Sequence, residues 1–255
     1  RYFTTTNLSP QEIHNLGLSE VARISAEMEK VKSQVGFRGS LREFFDQIRS
    51  NPKLMPFDQE EQVIQNFYNI RDRIDLKIMD LFEVMPKGKF EVRRTEAFRE
   101  KSASAEFLPG TRDGSRPGIF YVPIRDVKNY NVYADESLFL HEATPGHYYQ
   151  LTLQQENDSL PEFLHPESIS VFVEGWALYA ESLGVELGLY KDPYQYFGML
   201  SMEMHRAIRL VLETGIHAMG WTREDAIKYS LENEAESLED ITVEVERYMA
   251  APGGA

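Results

Sequence analysis

The chain has 255 residues, 42% hydrophobic and 27% charged, which is enough to bury a substantial core in an ordinary globular protein. A formal net charge of -14 argues against nucleic acid and anionic lipid as partners. There is no cysteine, so no disulfide frame exists and any metal site must use His and carboxylates; no apolar run approaches the roughly 20 residues a membrane-spanning helix needs.

In chain order, Ser9-Pro10-Gln11-Glu12 is a helix start: a capping Ser, Pro at the first helical position and Glu at the third. Val21, Ile24, Met28, Val31 and Val35 then recur every three or four residues, the stripe of an amphipathic helix that Gly36 and Gly39 end. Ser40-Leu41-Arg42-Glu43 opens a second helix, closed by Asn51-Pro52. A third opens at Asp58 to Glu61, with a stripe of Val63, Phe67, Ile70, Ile74, Ile78, Leu81 and Met85 that Pro86 stops. These helices read as scaffold. Between Gly88 and Tyr133 the register changes. Lys89 to Arg94 and Gly118 to Ile124 are short, β-branched or aromatic runs that read as paired strands, with loop over Pro109 to Gly118. Helices are then expected over 136–157, 168–190, 193–219, 223–235 and 240–250. The expected organisation is one mostly helical domain: scaffold helices over 1–87, loop and strands over 88–133, and chemistry-bearing helices over 134–255. Because the chain starts at Arg1 and stops at Ala255 just after a helix, it is expected to be the C-terminal part of a longer protein.

The chemistry concentrates in Ser137-Leu138-Phe139-Leu140-His141-Glu142-Ala143-Thr144-Pro145-Gly146-His147. Two His four residues apart on a helix face one metal, and a Glu after the first polarises a bound water. Here the second His comes six residues on, about 600° around a regular helix, which separates the rings. Pro145 cannot donate back to the His141 carbonyl and Gly146 tolerates unusual dihedrals. A two-residue bulge at Pro145-Gly146 is therefore expected, returning His147 to the place of an i+4 ligand. A kinked core helix with two incidental histidines is the competing reading. A three-ligand zinc site needs one more donor. Glu174, in Glu174-Gly175-Trp176-Ala177-Leu178-Tyr179-Ala180-Glu181, follows after room for a loop containing Pro161 and Pro166 and a returning antiparallel helix. Its apolar neighbours make an unpaired carboxylate there costly. Glu181, two turns on, is placed to hydrogen-bond a His ligand from behind.

His141 to Gln150 and Glu174 to Glu181, with Glu12 to Glu27, Asp113 to Val122, Gly188 to Pro193, Glu203 to Arg223 and Glu244 to Gly253, resemble the bacterial DUF885 family over nearly the whole chain. The resemblance implies a mainly α, zincin-like helical metallopeptidase domain with a small antiparallel sheet at the active-site cleft, one zinc, and hydrolysis of short peptides. By it His141, His147 and Glu174 take the metal positions and Glu142 the general base. The strand holding Tyr121 would line the cleft, pairing with extended substrate. Tyr248 and His217 are the candidates for stabilising the oxyanion, and Arg206 and Arg209 for binding a substrate carboxylate. It also implies further helical segments before Arg1 and beyond Gly253, and a periplasmic or lipoprotein-anchored location. His205, Arg206 and Arg209 are equally readable as an exposed or ion-paired helix face; His14 and His165 are expected at surface or loop positions. Two alternatives keep the zinc: a peptide-binding protein without turnover, and a hydrolase of non-peptide amides.

Overall fold

Side-chain caps set several of the helix starts. In the computed structural model, which describes residues 3–101, 103–165 and 169–255, Ser9 and Glu12 close a reciprocal capping box on α1 (Pro10–Gln34). Ser40 and Glu43 do the same for α2 (Leu41–Ser50). Each box satisfies backbone N–H groups that the first helical turn leaves without partners. The chain forms two compact units that do not follow chain order. One joins residues 1–51 to 196–255, the other is 52–195.

The first unit contains α1, α2, α8 (Pro193–Ala218) from Tyr196 on, α9 (Arg223–Asn233) and α10 (Leu238–Ala250). Its core is built on the predicted stripe of α1, Val21, Ile24, Met28 and Val31, and on Phe44, Phe45 and Phe197. The Phe44 and Phe197 rings meet edge to face at 5.0 Å. Burying each such ring contributes about 1.5–3 kcal/mol. Gly17 lets α1 and α8 approach closely, since a Cβ there would stand 2.7 Å from Val211 Cγ2. His14 corrects the expectation of a surface position. It is buried, with Nδ1 2.8 Å from Thr214 Oγ1 and its ring edge-on to Trp221. One turn from Gly17, it lies on the same α8-facing side.

The second unit contains α3 (Glu60–Asp75), α4 (Ile78–Leu81), strands β1 (Phe90–Arg94), β2 (Glu106–Leu108) and β3 (Gly118–Val122), and helices α5 (Asp135–Glu142), α6 (His147–Glu156) and α7 (Ser170–Ser182). The third predicted helix thus divides. It ends at Asp75, Leu76 caps it, and Lys77 leaves helical dihedrals at φ -129 before one further turn. The apolar stripe continues across this break because Ile78 is still buried, so spacing alone could not reveal it. The predicted 168–190 helix stops at Ser182, and the chain turns through Gly188 at φ +78. Residue 168 and Pro166 lie outside the described residues.

The sheet is mixed, not antiparallel as expected. Its order is β1-β3-β2, with β1 parallel and β2 antiparallel to β3. The expected pair is real, but a third strand of three residues, too short for an alternation to register, forms the antiparallel hairpin with β3 and leaves its other side to β1. β3 is therefore central and fully buried. Val92, Phe120 and Phe107 are in register on one face, where Phe120 meets Phe67 of α3 at 5.1 Å and Phe139 of α5 at 6.3 Å. Phe90 and Phe107 cover Tyr148 of α6. This apolar face is the bed on which α5 and α6 lie. No described helix is long and apolar enough to cross a membrane.

Candidate metal centre

The His-Glu motif sits in the most enclosed stretch of its unit: from Asp135 to Tyr149 every residue but Leu138 is buried. The helix does not bulge between the two His; it stops and restarts. α5 ends at Glu142, Ala143 leaves helical space at φ -112 and ψ -106, Thr144-Pro145 is cis, and α6 begins at His147. The Tyr149 N–H donates back over the break to the Ala143 carbonyl at 3.3 Å. Trp176 Nε1 of α7 donates to the Pro145 carbonyl at 2.7 Å. Gly146 is the tightest position in the break. A Cβ there would stand 1.9 Å from the His141 carbonyl oxygen and 2.3 Å from that of Leu140, so only glycine fits. The expected outcome, rings brought together by Pro145-Gly146, is reached by a different route. The ring centroids are 4.7 Å apart, nearly perpendicular at 85°.

Around these rings stand three carboxylates. One ligand atom from each of His141, Glu142 and His147 lies within 4.8 Å of the others. Glu174 faces both rings, its two oxygens 3.6 Å from His141 Nε2 and 3.8 Å from His147 Nε2. Those separations are long for hydrogen bonds. They approach the roughly 3.3 Å between donors that each sit about 2.0–2.1 Å from a tetrahedral zinc. Nitrogen and carboxylate oxygen are also the donors zinc takes where no Cys is present. The residues fit such an ion. The Glu174 side chain is 49% exposed while those of His141 and His147 are 3% and 10%, so the cluster opens to one side at Glu174.

Behind His141, Glu181 Oε1 accepts from Nδ1 at 2.8 Å, which directs Nε2 toward Glu174. The other oxygen of Glu181 accepts from Ser137 Oγ at 2.5 Å. The Tyr190 hydroxyl donates to the Glu181 backbone carbonyl at 2.8 Å. Burial disfavours charge on His141, yet the nearby Glu174 carboxylate, the hydrogen bond to Glu181 and the charges of Glu181 and Glu142 outweigh it and raise its pKa to about 9. The site favours positive charge at this ring. The sequence signals a role for Ser137 only by its spacing: it precedes His141 by one helical turn and so shares its face. Tyr190 left no such trace: its φ of +58 is a product of the fold.

The remaining candidates are placed otherwise. Tyr121 lies on central β3, flanked in register by Arg93 and Glu106, so its strand is not an edge open to substrate. It alternates with Phe120 and therefore points to the face away from α5 and α6, where the Arg99 guanidinium covers its ring at 4.6 Å. Tyr248, His217, Arg206 and Arg209 belong to the first unit. There the buried Tyr248 hydroxyl donates to Glu244 at 2.7 Å and accepts from Arg209 Nε at 2.8 Å. His217 Nε2 meets the Tyr248 carbonyl at 3.0 Å. His205, next to Arg206, pairs with Glu234 at 2.7 Å. His165 lies in a loop, its Nδ1 3.2 Å from the Gln154 carbonyl.

The profile of the bacterial proteins of unknown function DUF885 matches residues 1–255, and the chain belongs to that family. No functionally curated protein matches it. Among solved structures it is similar to the "putative lipoprotein" of Colwellia psychrerythraea, with 34% identity and a TM-score of 0.94 over 99% of this chain and 44% of that one. It also shares the fold of a "putative lipoprotein of unknown function" of Shewanella oneidensis, with 21% identity and a TM-score of 0.77 over 98% of this chain and 48% of that one. The chain thus spans less than half the length of either.

Proposed function

We propose that the second unit carries the zinc site of a peptide hydrolase, held by His141, His147 and Glu174, with Glu142 as general base. The observation that carries this reading is the pair of ring nitrogens, 3.6 and 3.8 Å from the two oxygens of a single carboxylate. Bound there, zinc would supply an activated water near neutral pH and polarise a substrate carbonyl. The chain's own residues do the rest. Glu181 holds the His141 ring by Nδ1, with Ser137 steadying the carboxylate. Glu142, buried beside both rings, takes a proton from the attacking water at its carboxylate and returns it to the leaving amine. With β3 central, an extended substrate joins the sheet at an outer edge. Both outer strands lie near the site, since Phe90 of β1 and Phe107 of β2 pack on Tyr148, the neighbour of His147. From the description of the 34% identical solved relative as a "putative lipoprotein", we infer a location in the cell envelope, periplasmic or lipid-anchored.

The test is metal analysis of protein purified without chelator, followed by a panel of peptides and acylated amino acids. About one zinc per chain, lost in His147→Ala, together with peptide turnover abolished in Glu142→Gln at full zinc content, is the expected result. Zinc in the parent without turnover, but with retained peptide binding, would favour the non-catalytic alternative. Cleavage of acylated amino acids alone would favour the non-peptide amidase. A parent that takes up no zinc sinks the reading.

A further inference from the structure

Helix α7 is apolar nearly all the way round yet buried on one side only. Val173, Ala177, Ala180 and Glu181 face the interior of their unit. On the opposite side Val171, Phe172 and Tyr179 are 41%, 59% and 55% exposed. A helix in water normally keeps its far face polar; one that is apolar all round is covered all round. The outer face also has a definite shape. At 100° per residue Gly175 lies between Val171, Phe172 and Tyr179, and a Cβ at Gly175 would meet nothing within 4 Å. A notch flanked by large apolar side chains at i-4, i-3 and i+4 is the relief into which the ridge of a second helix packs.

Two observations select the occupant. More than half of each solved relative lies outside the region this chain matches, so a family member of that length has chain available to cover the face. A second copy is disfavoured, because each carries a net charge of -14 and would bring it along. We infer that the outer face of α7 seats an apolar helix from the remaining half of a full-length family chain. Glu174 stands on α7 at the rim of this face, so the seated helix forms a wall beside the His141–His147 pair. The inference does not require the metal reading, since the face is defined by burial and shape alone.

The cysteine-free sequence allows a clean test. Tyr179→Cys is labelled with a maleimide in residues 1–255 and in the full-length gene product, with Glu224→Cys, on a 76% exposed side chain, as control. The control is expected to react at similar rates in both forms. Tyr179→Cys is expected to react as fast as the control in residues 1–255, monomeric by light scattering, and at least tenfold more slowly in the full-length chain. Equal rates at residue 179 in both forms overturn the inference. So does slow labelling in residues 1–255 with the mass of a dimer, which makes the occupant a second copy. In a second variant, Phe172→Asp lowers the melting temperature of the full-length protein more than that of residues 1–255; an equal effect on both counts against a seated helix. Zinc content is measured alongside, so a missing metal and an uncovered α7 are told apart.

Discussion

Gly146 is the single residue on which the geometry of the site turns. Both carbonyls it packs against, those of Leu140 and His141, belong to the helix that carries the first His, so any Cβ pushes α5 and α6 apart. Gly146→Ala is expected to destabilise the fold by about 3 kcal/mol, at the upper end for overpacking, and to lose metal in the same samples. A melting curve and an elemental analysis check both; unchanged metal content would show that the break tolerates a side chain. Glu181 acts at the next remove. It touches the back of His141, and such partners orient a ligand ring and raise its basicity. Glu181→Gln is expected to weaken zinc binding by about 10–100-fold with little change in secondary structure, and Ser137→Ala by less. Competition with a chelating dye measures both.

At the scale of elements, α5 begins on a buried acid. Asp135 accepts from the Tyr130 hydroxyl at 2.9 Å and Asn66 Nδ2 at 2.7 Å, both of which favour its charge. Burial outweighs them, with Glu136 adding repulsion, and pushes its pKa up to about 8 from an ordinary 3.8. Because the folded value is the higher one, Asp135 supports the fold fully below about pH 3.8, and this support is lost as pH rises through about 8. Asp135→Asn is expected to flatten the dependence of melting temperature on pH between those limits. An equally steep profile in the variant would assign the slope to another group. α10 shows the opposite case. Burial of Glu244 opposes its charge, but hydrogen bonds from Arg247 and Tyr248 and the charges of Arg247 and Arg209 hold its pKa at about 2. That stabilisation is present above the ordinary value of 4.5 and lost as pH falls through about 2. Glu244→Gln is expected to show a shallower loss of stability over this acid range, read by denaturant titration at several pH values.

At the scale of the molecule, each unit has its own core: Phe44, Phe45 and Phe197 in one, Phe67, Phe120 and Phe139 in the other. Independent cores permit independent melting. Zinc held at the proposed site would stabilise the second unit alone, by mass action. Calorimetry is expected to show two transitions, of which added zinc raises one. A single transition, or two that shift together, would mean that the units unfold cooperatively.

Much of the scaffold was legible because its signals are local. The capping boxes at Ser9 and Ser40 and the stripe of α1 are written within a few residues of where they act. So is the His-Glu motif with its Pro145-Gly146 break, since the missing N–H and missing Cβ are properties of those residues alone. What required the tertiary structure is whatever depends on partners distant in sequence. The mixed sheet rests on a strand too short to announce itself, and the burial of His14 rests on Thr214, 200 residues away. The place of Tyr121 on the far face of a central strand follows from both neighbours of β3 at once. Periodicity records which side of an element is apolar. It does not record what lies against that side, because burial is a property of two surfaces and the sequence of one element describes only its own.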